Sequence, residues 1–171
     1  MKDSQKKRIF NTLLNYKFKY FVLNYISARF FKIDRNLNVF LAFAASGSVA
    51  TWIIWEKLPI LWAGIIVASQ IVNVVKPFFP YSKYAKQINE KQNQLKGVLL
   101  NFEILWNKIQ NNKVDDDKAM TDFFQLKKDI EKILTFPYDT VFSVNKNIKH
   151  KANLKMKYYL KRNYDIEVEV N

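Results

Sequence analysis

The stretch that decides the fold is TWIIWEKLPILWAGII, residues 51–66, in which Glu56 and Lys57 lie between two strongly apolar segments. Residues 36–55 carry no charge over 20 residues and residues 58–75 carry none over 18, and a helix needs about 17–25 apolar residues to cross a bilayer. One helix through both segments would be about 60 Å long, twice the hydrocarbon thickness, with two charges at its centre. Two helices that reverse at Glu56-Lys57 keep both charges in the headgroup layer. The sequence therefore predicts a transmembrane hairpin.

The predicted hairpin covers residues 36–80, with spans 36–55 and 58–76. The residues that flank it indicate how it is oriented across the membrane. Aromatic residues lie near both ends of the spans, as they do at membrane interfaces: Trp52, Trp55, Trp62, Phe78, Phe79, Tyr81 and Tyr84. Residues 1–35 hold nine Lys/Arg against two acids, the stretch after Val75 holds eighteen against twelve, and the turn holds one lysine. The positive-inside rule then predicts a multi-pass protein with both termini cytoplasmic. The alternative is a buried helical hairpin in a soluble core.

The composition limits the possible partners and chemistry. The 171 residues include 28 Lys+Arg against 15 Asp+Glu, for a formal net charge of +13, which indicates an anionic partner. The adjacent spans favour the lipid bilayer over nucleic acid as that partner. There is no cysteine, one histidine (His150) and only three glycines, so we expect no enzyme activity, no catalytic residue, no bound metal and no cofactor. The low Gly and Pro content favours long helices, and the predicted class is an all-α membrane protein.

Small and polar side chains within the spans are the candidate packing and pore residues, because helices in lipid associate through close packing and polar contacts. The small residues expected to pack helices are Ala44, Gly47, Gly64 and Ala68. The polar face is predicted from Ser48, Thr51, Ser69, Gln70 and Asn73. The small residues pack the hairpin against itself or against other copies of the chain. The amides hydrogen-bond a neighbouring helix or line a water-filled path, and such a path needs several chains.

The segments outside the spans are predicted to form a small cytoplasmic bundle. Residues 1–35 form a basic amphipathic helix that either lies on the membrane surface or packs against later helices. Residues 81–135 form a helical pair, joined at a polar break where Asp115 or Asp116 caps the second helix. The first helix of the pair carries an apolar stripe at steps of three and four: Leu95, Val98, Phe102, Leu105 and Ile109. The second places Ala119, Phe123, Leu126, Ile130 and Ile133 on one side.

Residues 136–171 allow two structures. A basic helix with Val144, Ile148, Ala152 and Tyr159 on one face, followed by an extended tail, is favoured. LKMKY and the tail YDIEVEVN both alternate apolar and charged residues, however, so a short β-hairpin is the alternative.

The layout from Ile9 to about Leu134 resembles the SLATT family of two-span membrane effectors. It has a basic first helix, two spans with the very short turn WEKLP, the extension YAKQINEKQNQLKGVLLNFEILW and a further amphipathic helix. The alternating tail departs from that pattern. The resemblance implies an effector of the bacterial inner membrane that oligomerises and forms a pore or disrupts the membrane. It also implies control by a cytoplasmic sensor or signalling partner in bacterial defence. The competing hypothesis is a non-catalytic membrane anchor or scaffold that recruits a cytoplasmic partner.

Overall fold

The computed structural model describes residues 1–45, 59–136 and 144–167, and all regular structure in these ranges is helical. The helices are α1 (Asp3–Ala45), α2 (Pro59–Val75), a 3₁₀ turn (Lys76–Phe78), α3 (Tyr81–Gln110), α4 (Asp116–Leu134) and α5 (Lys146–Tyr164). The all-α prediction is confirmed. The predicted turn at Glu56-Lys57 and the second half of the first span lie outside the described residues. The described first half of that span, residues 36–45, is helical and belongs to α1. The second predicted span, 58–76, matches α2 closely.

The chain divides into two compact units. The bundle unit consists of Met1–Ser27 and Lys86–Asn171, and the apolar unit consists of Ala28–Ala85. Helix α1 supplies residues to both units, and the predicted boundary at residue 35 falls inside it. The helix continues there because residues 3–45 contain neither glycine nor proline, so nothing in the backbone ends it.

The core of the bundle unit is formed by the apolar faces of α1, α3, α4 and α5. Its largest fully buried side chains are Ile9, Leu13, Ile26, Ile88, Leu95, Leu99, Phe102, Phe123 and Ile130. Leu95, Phe102, Leu105 and Ile109 of the predicted stripe are buried, and Val98 is half-buried. Of the two predicted locations for the beginning of α1, the membrane surface and the bundle core, the structure thus shows the core. On α4, Ala119 and Ile130 are buried as expected. Phe123 of the same helix packs edge to face against Phe102 of α3, with ring centroids 5.9 Å apart.

Side-chain caps start the last two helices. The Asp115 carboxylate accepts a hydrogen bond from the Asp117 backbone N–H at 3.1 Å, which confirms the predicted cap. The Asn145 side chain accepts one from the Ile148 N–H at 2.9 Å and starts α5. At the other end of α5, Asp165 ends the helix in the left-handed conformation, with φ of 53°.

The alternative β-hairpin at the C-terminus is wrong for LKMKY, which lies inside α5. The helix prevails because Ile148, Ala152 and Leu160 recur at helical spacing and are all buried, whereas a strand would turn half of its residues away from the core. No strand is present in the described ranges, and residues 165–167 have no regular structure. Residues 168–171 of the tail lie outside the description.

In the apolar unit, α2 runs antiparallel to the second half of α1. Phe43 stacks against Trp62 with ring centroids 6.1 Å apart. Further along, the Lys76 ammonium donates a hydrogen bond to the Asn38 side chain. Later residues of α2 thus meet earlier residues of α1, as in a helical hairpin.

Candidate functional site

The outer surface of α2 is the first candidate site. The segment Ile60–Phe78, 19 residues with a mean hydropathy of 1.5, is the one helix of the described part of the chain that is long and apolar enough to span a membrane. Only 11% of it is buried within the chain, whereas the core helix of a soluble protein would be mostly covered. Its exposed large apolar residues are Ile60, Leu61, Ile66, Val67, Ile71, Val74, Val75 and Phe78. Such a surface is compatible with lipid contact, and equally with a protein interface.

The polar residues predicted in the second span differ in their exposure. Ser69 is buried, and its hydroxyl donates to the Ile66 carbonyl of its own helix at 2.8 Å, so its hydrogen bond is made locally. Gln70 and Asn73, in contrast, are both exposed. The described residues supply no hydrogen-bond partner to either amide.

The small residues lie on the opposite side of the same helix. At about 100° per residue, the packed face contains Trp62 and Ser69, with Gln70 and Asn73 on one flank and Gly64 and Ala68 on the other. Both small residues are exposed, and a Cβ atom built on Gly64 would meet nothing within 4 Å among the described residues. Neither flank is therefore covered by the described part of this chain.

The remaining predicted residues belong to the first span. Ala44 is half-buried near the end of α1. Gly47, Ser48 and Thr51 lie outside the described residues, so the predictions for them stay predictions.

A polar network inside the bundle unit was missed at the level of sequence. The Glu103 carboxylate of α3 pairs with the Lys17 ammonium of α1 at 2.7 Å and accepts a hydrogen bond from the Tyr159 hydroxyl of α5. The hydroxyls of Tyr159 and Tyr164 are 3.4 Å apart. Burial, reinforced by the hydrogen bond to Glu103, raises the pKa of Tyr159 well above its usual value, and burial also raises the pKa of Tyr164. The sequence signal was an acid next to Phe102 on an apolar stripe, but its partners are far away in the chain.

A second network joins α1 to α4. The Tyr16 hydroxyl donates to a Glu131 carboxylate oxygen at 3.0 Å. Burial, and then the hydrogen bond to Glu131, raises the pKa of Tyr16 from 10.0 to about 12. In the folded bundle this phenol therefore stays neutral to a higher pH than an exposed tyrosine does.

Replacing Tyr16 with Phe is expected to change the alkaline stability of the bundle. A raised pKa in the folded state contributes stability that is present below pH 10.0 and is lost as the pH rises through about 12. Tyr16→Phe should cost about 1 kcal/mol at neutral pH, because it removes one hydrogen bond, and should reduce the further decline above pH 10. The free energy of unfolding, followed by circular dichroism across that range, measures both effects.

Tyr158→Phe is the control for this experiment, since Tyr158 is 61% exposed. It should follow the wild type at every pH. The hypothesis fails if Tyr16→Phe and wild type lose the same stability between neutral pH and pH 12.

In comparisons of the whole chain with known proteins, no family model, no curated protein and no solved structure matches it.

Proposed function

We propose that the chain is a membrane effector whose two-span hairpin oligomerises and forms a pore in, or disrupts, the bacterial inner membrane. The observation that carries the proposal is the exposure of Gln70 and Asn73 on the apolar surface of α2. An amide placed in hydrocarbon without a hydrogen-bond partner costs roughly 2–7 kcal/mol. Two such amides facing lipid are unfavourable in a monomer, and a neighbouring chain or a water-filled path would satisfy them.

The two flanks of α2 support one kind of assembly. Gln70 and Asn73 lie on one side of the packed face, and Gly64 and Ala68 lie on the other, where a neighbouring backbone can approach closely. An interface between two different surfaces of the same chain repeats from copy to copy and closes into a ring when the rotation allows. In such a ring, the small flank of each hairpin would pack against the polar flank of the next.

The proposed membrane topology rests on the contacts between α1 and α2 and on the distribution of charge along the chain. The antiparallel contacts Phe43–Trp62 and Asn38–Lys76 support a hairpin in which the first span continues from α1. The excess of Lys and Arg on both sides of the hairpin favours cytoplasmic termini. The bundle unit then lies in the cytoplasm, where a sensor or signalling partner would control assembly, as in the SLATT family that the chain resembles.

The paired substitution Gln70→Leu with Asn73→Leu tests the pore. If each amide contributes about 0.6–2 kcal/mol to helix association, the double variant should associate roughly tenfold more weakly or worse at each interface. We expect induced expression of the wild type, together with the genes adjacent to its own, to depolarise bacterial cells and the double variant to lose most of that effect. A membrane-potential dye and the growth rate measure the outcome.

Ile71→Leu with Val74→Leu is the matched control, because both residues are exposed on the same helix and the change keeps them apolar. It should behave as the wild type, at equal membrane abundance. Unchanged membrane potential in cells that express the wild-type chain with its partners would contradict the proposal.

The second candidate function is a membrane anchor that recruits a cytoplasmic partner. It is favoured by Leu100 and Ile104, which are one helical turn apart on α3 and are 57% and 46% exposed. The stripe itself is buried in the bundle, so a partner would contact these neighbouring residues. In an anchor, Gln70→Leu with Asn73→Leu leaves function intact, whereas Leu100→Ser with Ile104→Ser abolishes it.

A further inference from the structure

A cleft of about 380 Å³ opens on the bundle unit between α1, α3 and α5. Four cationic side chains line it: Lys17 from α1, Lys96 from α3, and Lys155 and Arg162 from α5. Among the described residues, one carboxylate, that of Glu103, lies beside them. The volume is in the range of sites that bind small molecules.

The single carboxylate is already engaged. Glu103 pairs with Lys17 at 2.7 Å and also accepts the Tyr159 hydroxyl. Lys17 is further held over the Tyr159 ring, with its ammonium 4.5 Å from the ring centroid. These contacts hold Lys17 in place and engage the one carboxylate that the described residues contribute to the cleft.

The remaining three cations have no carboxylate partner within the described part of the chain. Lys155 lies 5.8 Å from the centroid of the Tyr158 ring, and Lys96 and Arg162 are exposed. Bringing these three like charges from two helices to one cleft costs free energy that an anion would recover. As far as the described residues show, three cations of this cleft are therefore not neutralised by a carboxylate.

The other lining groups narrow the class of anion. Arg162 offers a planar fork of donors, and the Tyr158 hydroxyl adds a neutral donor beside it. The Asn163 amide donates one hydrogen bond to the Tyr159 carbonyl at 2.8 Å and keeps a second N–H. Several donors around several positive charges match a multiply charged anion with many oxygens better than a single carboxylate. The exposed Tyr158 ring supplies an apolar face next to these donors.

We propose that this cleft binds a phosphate-bearing ligand, either a soluble organic phosphate or the phosphate headgroup of an anionic lipid. Lys96, Lys155 and Arg162 would bind the phosphate oxygens, and the Lys17–Glu103–Tyr159 cluster would position the helices that present them. The site is separate from the exposed flanks of α2 and does not depend on pore formation.

Two binding measurements on the full-length chain in neutral detergent test the proposal. Inorganic pyrophosphate, titrated by calorimetry, is the probe for a soluble phosphate. Phosphatidylglycerol, counted by native mass spectrometry against phosphatidylcholine, is the probe for a lipid headgroup. Lys96→Gln with Arg162→Gln should weaken the binding of the relevant probe roughly tenfold or more, because two charge-assisted hydrogen bonds are lost.

The control variant is Lys128→Gln with Lys132→Gln, which removes two exposed charges from α4 away from the cleft. It should keep wild-type affinity, and circular dichroism should show both double variants equally folded. Loss of pyrophosphate binding in the cleft variant alone supports a soluble ligand, and the same loss for phosphatidylglycerol alone supports a lipid ligand. Equal losses in the two double variants, or no binding of either probe by the wild type, would overturn the proposal.

Discussion

Phe102→Ala should lower the free energy of unfolding of the bundle unit by about 3–5 kcal/mol, the range measured for large buried aromatic residues. Phe102 is 0% exposed and packs edge to face against Phe123. Truncation removes apolar area from the core and leaves a cavity that the neighbouring helices fill only in part. Because a whole small domain is stable by about 5–15 kcal/mol, this one change removes a large fraction of the total.

The measurement is amide hydrogen exchange of α4 in the full-length chain in neutral detergent, since α4 lies wholly within the bundle unit. Protection of its amides should fall by roughly two to three and a half orders of magnitude, as about 1.4 kcal/mol corresponds to tenfold. Leu100→Ala is the control, two residues away on the same helix and 57% exposed. Similar protection in the Phe102→Ala and Leu100→Ala variants would show that the face of α3 that carries Phe102 does not pack against the core.

Val67→Arg should prevent stable integration of α2 into the bilayer. Val67 is 58% exposed and lies near the middle of the 19-residue segment Ile60–Phe78. An arginine at the centre of a membrane helix adds roughly 2.5–3.5 kcal/mol to the cost of insertion. Most of the variant should therefore be released from membranes by alkaline carbonate, whereas the wild type should remain.

Ile60→Arg provides the comparison, because Ile60 lies at the first end of the same segment and is 87% exposed. From that position the long side chain can reach the headgroup layer, so integration should persist. Equal release of the two variants would mean that depth does not matter, and the membrane assignment of α2 would then be wrong.

The parts of this fold that could be predicted are those that depend on residues close together in the sequence. The apolar stripes of α3 and α4 and the Asp115 cap follow from residues within one or two helical turns of each other. The stripe prediction included Val98 and omitted Leu99, although Leu99 is the more deeply buried of the two. Both fit a helical repeat, and only the partner helices decide which of them faces the core.

The unpredicted parts depend on contacts between distant segments. Glu103 meets Lys17 across 86 residues and Tyr159 across 56, and no local pattern specifies either pair. The cationic cleft was missed for the same reason, because its charges come from three helices and each one alone resembles a solvated face. Inside the second span, the sequence identified Ser69, Gln70 and Asn73 as polar, but only the packing against α1 separates the buried hydroxyl from the exposed amides.

The division of the bundle unit into two separated stretches of chain has a consequence for its synthesis. Residues 1–27 must wait for α3, α4 and α5 to leave the ribosome, and the Tyr16–Glu131 bond joins positions 115 residues apart. The apolar segment is translated in between, and under the proposed membrane function it would meet the insertion machinery while the early half of the core is still unpaired. Nascent chains would thus be most vulnerable to proteases and chaperone capture in that interval, and slowing translation after residue 85 should prolong it.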